Sequence, residues 1–279
     1  MKPFLGIDLT ENQNNEQMNG TEFLVQIPSD ALRQALSVSS EKAEITITRS
    51  RLPLPFRVVQ YLCGFAALLI GGAILNAEVS FAEGYRNAAW LYWTAGICAV
   101  TWGILWFLSK HKAKAVLETE ASNQTFSHLE GVTQAIYQEL GVPDNAKTVD
   151  VLFFFYRYKN GECKLVEKTI AAQYFNPEFK LFVDANNLYL ANLEGKYAFP
   201  LSSIRQLHTV KKHIRIAAWN KEEAYNKGIY KQYKLTTDNY GCIHCKQYHI
   251  LEVEHRGESF GIYIPCYELP AFEDCRGDQ

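Results

Sequence analysis

Residues 58–76 (VVQYLCGFAALLIGGAILN) and 88–108 (AAWLYWTAGICAVTWGILWFL) decide how this chain folds. Neither stretch contains an Asp, Glu, Lys, Arg or His. Each matches the roughly 20 apolar residues that a helix needs to cross a bilayer. A buried core helix of a soluble protein is normally shorter and carries polar residues on one face. The pair is therefore read as a transmembrane hairpin. The chain's mean hydropathy of -0.17 averages these spans with polar flanks and conceals them.

The charges beside the spans set an orientation. Arg49, Arg51 and Arg57 precede the first span, and Lys110, Lys112 and Lys114 follow the second, whereas the connection carries Glu78, Glu83 and Arg86. The positive-inside rule places both termini in the cytoplasm of a multi-pass plasma-membrane protein. Trp90, Tyr92 and Trp93 then fall near the outer interface, and Tyr61, Trp106 and Phe107 near the inner one, as amphipathic rings prefer. Small residues recur on one face of each span, at Gly64, Ala67 and Gly71 and at Ala95, Ala99 and Gly103, which lets backbones approach closely. Packing of the two helices on each other is the expectation, with homo-oligomerisation as the alternative. Spans without ionisable groups argue against a pathway for ions or protons.

Outside the spans, the order of elements follows from hydrophobic period and turn residues. Residues 1–20, rich in Asn, Gln and Glu and without the apolar core of a secretory signal, read as a disordered tail. Residues 21–57 read as a short cytoplasmic segment: an N-cap at Ser29-Asp30 opens a helix through Leu36, alternating Ile45-Thr46-Ile47-Thr48 suggests a strand, and Pro53 and Pro55 stop any helix before the membrane. Residues 109–148 form a helical connector, with Phe126, Leu129, Val132, Ile136 and Leu140 at helical spacing until Gly141 and Pro143. From Val149 the period changes to two. VDVLFFFYRY, Asn160-Gly161 and CKLVEKTIAAQYF read as a hairpin closed by a tight turn. Further strand-like runs fall at 179–183, 188–192, 196–199, 229–237, 248–255 and 259–264, roughly six to eight strands in all. The fold class is thus a two-helix transmembrane hairpin plus a cytoplasmic α+β domain over residues 149–279, mainly antiparallel β, as a small barrel or sandwich.

Phe179-Lys180-Leu181-Phe182-Val183-Asp184, then Leu188-Tyr189-Leu190, then Tyr197-Ala198-Phe199-Pro200-Leu201-Ser202-Ser203-Ile204 resembles the two-strand and Pro-Leu-Ser-Ser-Ile pattern of bacterial membrane-anchored PH-like proteins of the YcxB-like type. The resemblance covers the hairpin and roughly residues 149–267. It implies a PH-like domain held at the inner face of a bacterial membrane. A PH-like fold ends on a helix that plugs the barrel. The run after Pro265 shows no evident helix, which leaves the 126–140 helix to take that place.

No nucleophile elbow, Walker loop, dinucleotide-binding glycine pattern or paired-His zinc motif is present in a usable form, so no enzyme and no cofactor are expected. Seven cysteines, an odd number with two inside the spans, do not make a secreted disulfide framework. Cys242-Ile243-His244-Cys245 with His249 is the sharpest metal-like or redox-like pattern, because a CxxC turn can present two thiolates. A structural zinc site needs a second tight ligand pair, and none follows. A net charge of -2 excludes the global basic field of a nucleic-acid binder. One local cationic excess exists: residues 211–234 hold Lys211, Lys212, Arg215, Lys221, Lys227, Lys231 and Lys234 against Glu222 and Glu223. Beneath an anionic leaflet each exposed Lys or Arg contributes about 1 kcal/mol of attraction. Trp219, Tyr225, Tyr230, Tyr233 and Tyr240 share or adjoin this stretch and suit core packing or a protein interface.

The resulting expectation is a non-enzymatic, membrane-anchored binding or regulatory module whose partners are the bilayer and either anionic lipid headgroups or a membrane or cytoplasmic protein. Two alternatives stand beside it: a subunit of a multi-span transport or channel assembly, and a metal or redox sensor acting through Cys242 and Cys245.

Overall fold

The computed structural model describes residues 1–10, 20–76, 81–159, 162–165, 177–217, 229–237 and 242–274. The chain forms two compact units, one of Asp30–Gln134 and one of Met1–Ser29 with Ala135–Gln279.

The first unit is helical. Helix α1 spans Asp30–Ser50 without a break, so the Ile-Thr-Ile-Thr run expected as a strand is helix. Thr46 Oγ1 donates to the Lys42 carbonyl at 2.9 Å and Ser50 Oγ to that of Ile47 at 2.6 Å, closing these polar groups back on the helix itself. Ser39, Ala43 and Ser50, four and seven residues apart, form its buried face.

Helix α2 spans Leu54–Leu75, with Pro53 as its N-cap and Pro55 in its first turn. Proline cannot continue a helix yet fits its first turn. Its 22 residues reach about 33 Å, enough for the ~30 Å hydrocarbon core of a bilayer. Helix α3 spans Phe81–Leu117 and is broken at Ala88, whose backbone leaves the helical region at φ -142°, ψ 42°. Helix α4 spans Glu120–Glu139 and includes most of the helical stretch expected at 126–140.

Helices α2 and α3 pack side by side. A Cβ on Gly64 would meet Trp102 Cδ1 at 2.7 Å, whereas Cβ atoms on Gly71, Gly72, Gly96 and Gly103 would meet nothing within 4 Å. Of the three glycines in the small-residue pattern, Gly64 therefore lies against the other helix, whereas Gly71 and Gly103 face open space. Both helices are long and apolar enough to cross a membrane. Their most apolar 18-residue windows are 0% buried in α2 and 6% buried in the second helix, taken over Gly84–Leu117.

The second unit is mostly sheet. Strand β1 (Lys2–Pro3), β2 (Gly6–Asp8), a 3-10 turn at Thr21–Phe23 and β3 (Leu24–Gln26) come from the N-terminal stretch. Then follow β4 (Lys147–Asp150), β5 (Phe154–Lys159), β6 (Glu162–Leu165), β7 (Glu178–Val183), β8 (Asn187–Ala191), β9 (Lys196–Pro200) and β10 (Ile204–Val210). The remainder is β11 (Ile214–Ala217), a single helical turn α5 (Ile229–Gln232), β12 (Thr236–Thr237), β13 (Cys242–Cys245), β14 (Tyr248–His255), β15 (Glu258–Pro265) and a short helix α6 (Leu269–Asp274).

These strands form several sheets, none of them closed. One has five strands in the order β3-β9-β8-β7-β4, all antiparallel, and one has four in the order β1-β15-β14-β10. In the latter, β10, β14 and β15 form an antiparallel meander and β1 joins β15 in parallel. One core, with Phe4, Phe179, Leu190, Phe199, Val253 and Phe260 among its members, draws on both sheets. Two three-stranded sheets, β2-β5-β6 and β11-β13-β12, contribute to a second core with Phe154, Ile216, Ile243, Cys245 and Tyr263.

Three expectations change here. The stretch read as a disordered tail supplies β1 and β2, and Phe4, 0% exposed, packs on Phe23, Phe179, Tyr197 and Phe199. The two-residue and three-residue strands are too short to show a period, and their partners lie far along the chain. The strand expected over 229–237 is instead α5 followed by the two-residue β12. A short helix, α6, follows β15 where the sequence shows no evident helix, and its Phe272 joins the first core.

Candidate functional site

The β11-β13-β12 sheet carries the cationic stretch, and strand pleating sorts its residues. Ile214 pairs with Cys245 and Ile216 with Ile243, and all four point into the second core. Successive side chains alternate between faces, so Arg215 and its partner His244 project from the other face, where Thr236 of β12 is His244's partner on the opposite side. His213 joins them: its Nε2 lies 3.0 Å from His244 Nδ1, the two rings sharing one hydrogen bond. Their ring centroids are 5.1 Å apart. His213 directly precedes β11, Lys246 directly follows β13 and Lys234 lies two residues before β12, which puts all three at the same end of these antiparallel strands.

One end of this sheet therefore gathers Lys211, Lys212, His213, Lys234 and Lys246, with Arg215 and His244 just inside it. All five end residues are exposed. Among the described residues Lys211, Lys234 and Lys246 make no ion pair. Lys231 is exposed on α5, one turn before Lys234, whose N–H donates to the Lys231 carbonyl at 3.4 Å. Lys234 adopts a left-handed backbone, φ 52°, which ends that turn and starts β12. Of the expected cationic residues, Lys211, Lys212, Arg215, Lys231 and Lys234 belong to this region; Lys221 and Lys227 lie outside the described residues, as do Trp219, Tyr225 and Tyr240. Tyr233, partly buried, packs against the second core.

The His213–His244 pair and Lys246 were not expected from the sequence. The signal was present in Lys212-His213-Ile214-Arg215-Ile216-Ala217 and Cys242-Ile243-His244-Cys245, whose alternation of apolar and polar residues is that of strands with one buried face. Reading CxxC as a turn concealed it.

That same alternation separates the metal candidates. Cys242 and Cys245, three residues apart on β13, point to opposite faces of the strand. His249 sits on β14, 3% exposed, with Nδ1 3.0 Å from Thr209 Oγ1. Burial holds its imidazole below the usual histidine range. The partner of Cys245 is Cys266, to which it donates a thiol hydrogen bond, and that bond together with burial pushes the Cys245 thiol up. Among the described residues, no group of three His, Cys, Asp or Glu side chains is placed to hold a metal ion.

Elsewhere in this unit, Asp184 shapes the β7-β8 turn. Its Oδ1 accepts the N–H groups of Asn186 and Asn187 at 2.8 and 2.7 Å, and its Oδ2 accepts the Tyr189 hydroxyl at 2.8 Å. The Asn186 amide, then the Tyr189 hydroxyl, hold this carboxyl below its ordinary range. This is turn chemistry, and it assigns no ligand to the turn. The chemistry that the β11-β13-β12 end can perform is anion binding by several cations and two imidazoles.

No protein-family model, no curated protein and no solved structure matches this chain.

Proposed function

We propose that this chain is a membrane-anchored, non-enzymatic binding module: a helical hairpin holds a PH-like β domain at the cytoplasmic face of a bacterial plasma membrane, and the cationic end of β11-β13-β12 docks on anionic lipid headgroups. The observation that carries the anchor is the uncovered apolar surface of α2 and α3, with windows 0% and 6% buried. A core helix of the same length and apolar composition is mostly buried in its own protein, and these two are not. A folded protein rarely leaves apolar patches larger than a few hundred Å² in water, which supports a lipid solvent for this surface.

Other features support the finer parts of the reading. The basic residues flank the two outer ends of the hairpin, and Lys110 Nζ lies 4.4 Å from the centroid of the Trp106 ring, a cation–π contact suited to a membrane interface. For the PH-like assignment, the support is a four-stranded antiparallel run β4-β7-β8-β9, a three-stranded run β10-β14-β15, and α6 as the closing helix. The docking role rests on the gathered lysines, each worth about 1 kcal/mol near an anionic leaflet.

The test uses the full chain in nanodiscs of phosphatidylcholine, captured on a sensor and exposed to vesicles. Vesicles containing phosphatidylglycerol are expected to bind at low salt and to be released at moderate salt, and a Lys211→Ser, Lys234→Ser, Lys246→Ser variant to lose most of this binding. Equal capture of neutral vesicles, or none at either salt, contradicts the docking role.

A second reading, a subunit of a multi-span assembly, is favoured by one observation: Gly71, Gly72, Gly96 and Gly103 face open space around the hairpin, where the backbone of another helix could approach closely.

A further inference from the structure

We infer that the charged ends of the hairpin form a second lipid site, built from the helical unit alone, that holds individual anionic phospholipids by their headgroup phosphate. The inference rests on the proposed membrane anchor and not on the docking of the β unit.

The sequence concentrates charge at this level. Arg49, Arg51 and Arg57 lie before or in the first turn of α2, and Lys110, Lys112 and Lys114 follow the second span, while no Asp or Glu occurs from Ile45 to Ala77 or from Ala88 to Leu117. Both stretches belong to the unit Asp30–Gln134. The fold brings their charged ends together: Lys112 Nζ donates to the Arg51 carbonyl at 2.8 Å, and α1 packs on α3.

The helical unit leaves these charges almost unneutralised. Among the described residues, the one ion pair that any of them makes is Lys114 Nζ with Glu118 Oε1, at 4.0 Å with both side chains largely exposed. Arg49, Arg51, Lys110 and Lys114 are exposed, and Arg57 and Lys112 half-buried. The Lys112 amine uses one of its three donors on the Arg51 carbonyl and keeps two. Like charges gathered at one level repel each other until an anion lies against them. A guanidinium can take two phosphate oxygens at once, and an ammonium binds phosphate as a point charge.

The apolar groups beside these charges select a phospholipid over free phosphate. Phe56, Trp106 and Phe107 are exposed. Trp106, Lys110 and Lys114 are spaced four residues apart and share one face of α3, with Lys110 Nζ 4.4 Å from the centroid of the Trp106 ring. A ligand that meets this face finds cations at one level and apolar rings at the next, towards the span. A phosphate joined to acyl chains matches both. Lys112 points instead to the link between α1 and α2, so the charges surround α3 and more than one headgroup has a place.

The test uses the full chain purified in a neutral detergent and titrated with phosphatidylglycerol or with phosphatidylcholine of the same acyl chains, the bound lipids being counted by native mass spectrometry. Phosphatidylglycerol is expected to bind about tenfold more tightly, the effect of one or two cations at a headgroup, and excess inorganic phosphate is expected not to displace it. A Lys110→Gln, Lys112→Gln, Lys114→Gln variant is expected to lose most of the preference, and Arg at the same three positions to keep it, with circular dichroism as the check on folding. The Lys211→Ser, Lys234→Ser, Lys246→Ser variant is expected to keep it as well. Equal affinity of the native chain for the two lipids overturns the site and leaves the anchor standing. So does a preference that survives the Gln variant and disappears in the Ser variant, which assigns it to the β unit, and displacement by inorganic phosphate reduces the site to one for simple anions. A chain that stays monodisperse without detergent and takes up neither lipid overturns the anchor, and the site with it.

Discussion

The Tyr267 hydroxyl donates to Asp150 Oδ2 at 2.7 Å, a buried hydrogen bond that joins the end of β4 to the turn after β15 across 117 positions of the chain. The Asp150 N–H donates in turn to Glu268 Oε1 at 3.1 Å. Asp150 is only 1% exposed. A carboxyl buried this deeply depends on its donors. These two contacts hold the segment leading into α6 against the five-stranded sheet.

Tyr267→Phe keeps the ring and removes the donor. Loss of a hydrogen bond to a buried acceptor costs about 1–3 kcal/mol. Thermal unfolding of the full chain in detergent, followed by circular dichroism, is expected to show a lowered midpoint. An unchanged midpoint would mean that Asp150 does not depend on this donor.

Phe4→Ala tests whether the first residues belong to the β unit. Removing a fully buried Phe ring costs about 3–5 kcal/mol, and here it empties a position among Phe23, Phe179, Tyr197 and Phe199. The same unfolding assay is expected to show a loss of that order. Near-native stability would return the stretch to the tail that its composition suggests.

The contrast between these residues and the hairpin shows what the sequence makes legible. Membrane spans are read from a sum over some 20 residues, so single exceptions hardly matter. Hairpins such as β7-β8 and β14-β15 are read from alternation over five to eight residues with a turn between them. Strands β1, β2 and β12, two or three residues long, carry no period, and only their distant partners make them strands. Ile45 to Thr48 alternates as a strand does, yet the 21-residue helix around it prevails, because helix formation is cooperative along the segment. In the candidate site, composition identified the cations of 211–231, but the pairing of His213 with His244 depends on a register between segments about thirty residues apart.

Two glycines separate packing within the hairpin from association outside it. Gly64→Leu inserts a side chain where even a Cβ meets Trp102 at 2.7 Å, and is expected to force α2 and α3 apart and lower the yield of folded protein. Gly103→Leu meets nothing within 4 Å and is expected to leave the fold intact. If Gly103→Leu dissociates a detergent-stable oligomer, seen by light scattering, the multi-span assembly gains direct support; a monomer in both native and variant forms removes that reading.

Stability of the β unit is expected to fall in mild acid through His249. Its pKa is depressed in the folded state by burial, with Glu273 opposing the shift, and its Nε2 is buried without a hydrogen-bond partner among the described residues. The unfolded chain then binds the extra proton from about pH 6.5 downward, before the folded state does. The stability gained from neutral burial is thus fully present above that pH and is lost as pH falls towards the folded pKa. Denaturant midpoints across this range are expected to decline in the native chain and to stay flatter in His249→Gln; parallel profiles would assign the decline to other groups.

The proposed function requires that α2 and α3 hold the chain in a membrane with the β unit on the cytoplasmic side. The direct measurement is alkaline carbonate extraction of membranes from bacteria that express the full chain, followed by protease digestion of right-side-out and inside-out vesicles. The chain is expected to remain in the membrane pellet and the β unit to be cut only in inside-out vesicles. Release into the carbonate supernatant would contradict the anchor, and digestion from the right-side-out face would contradict the orientation.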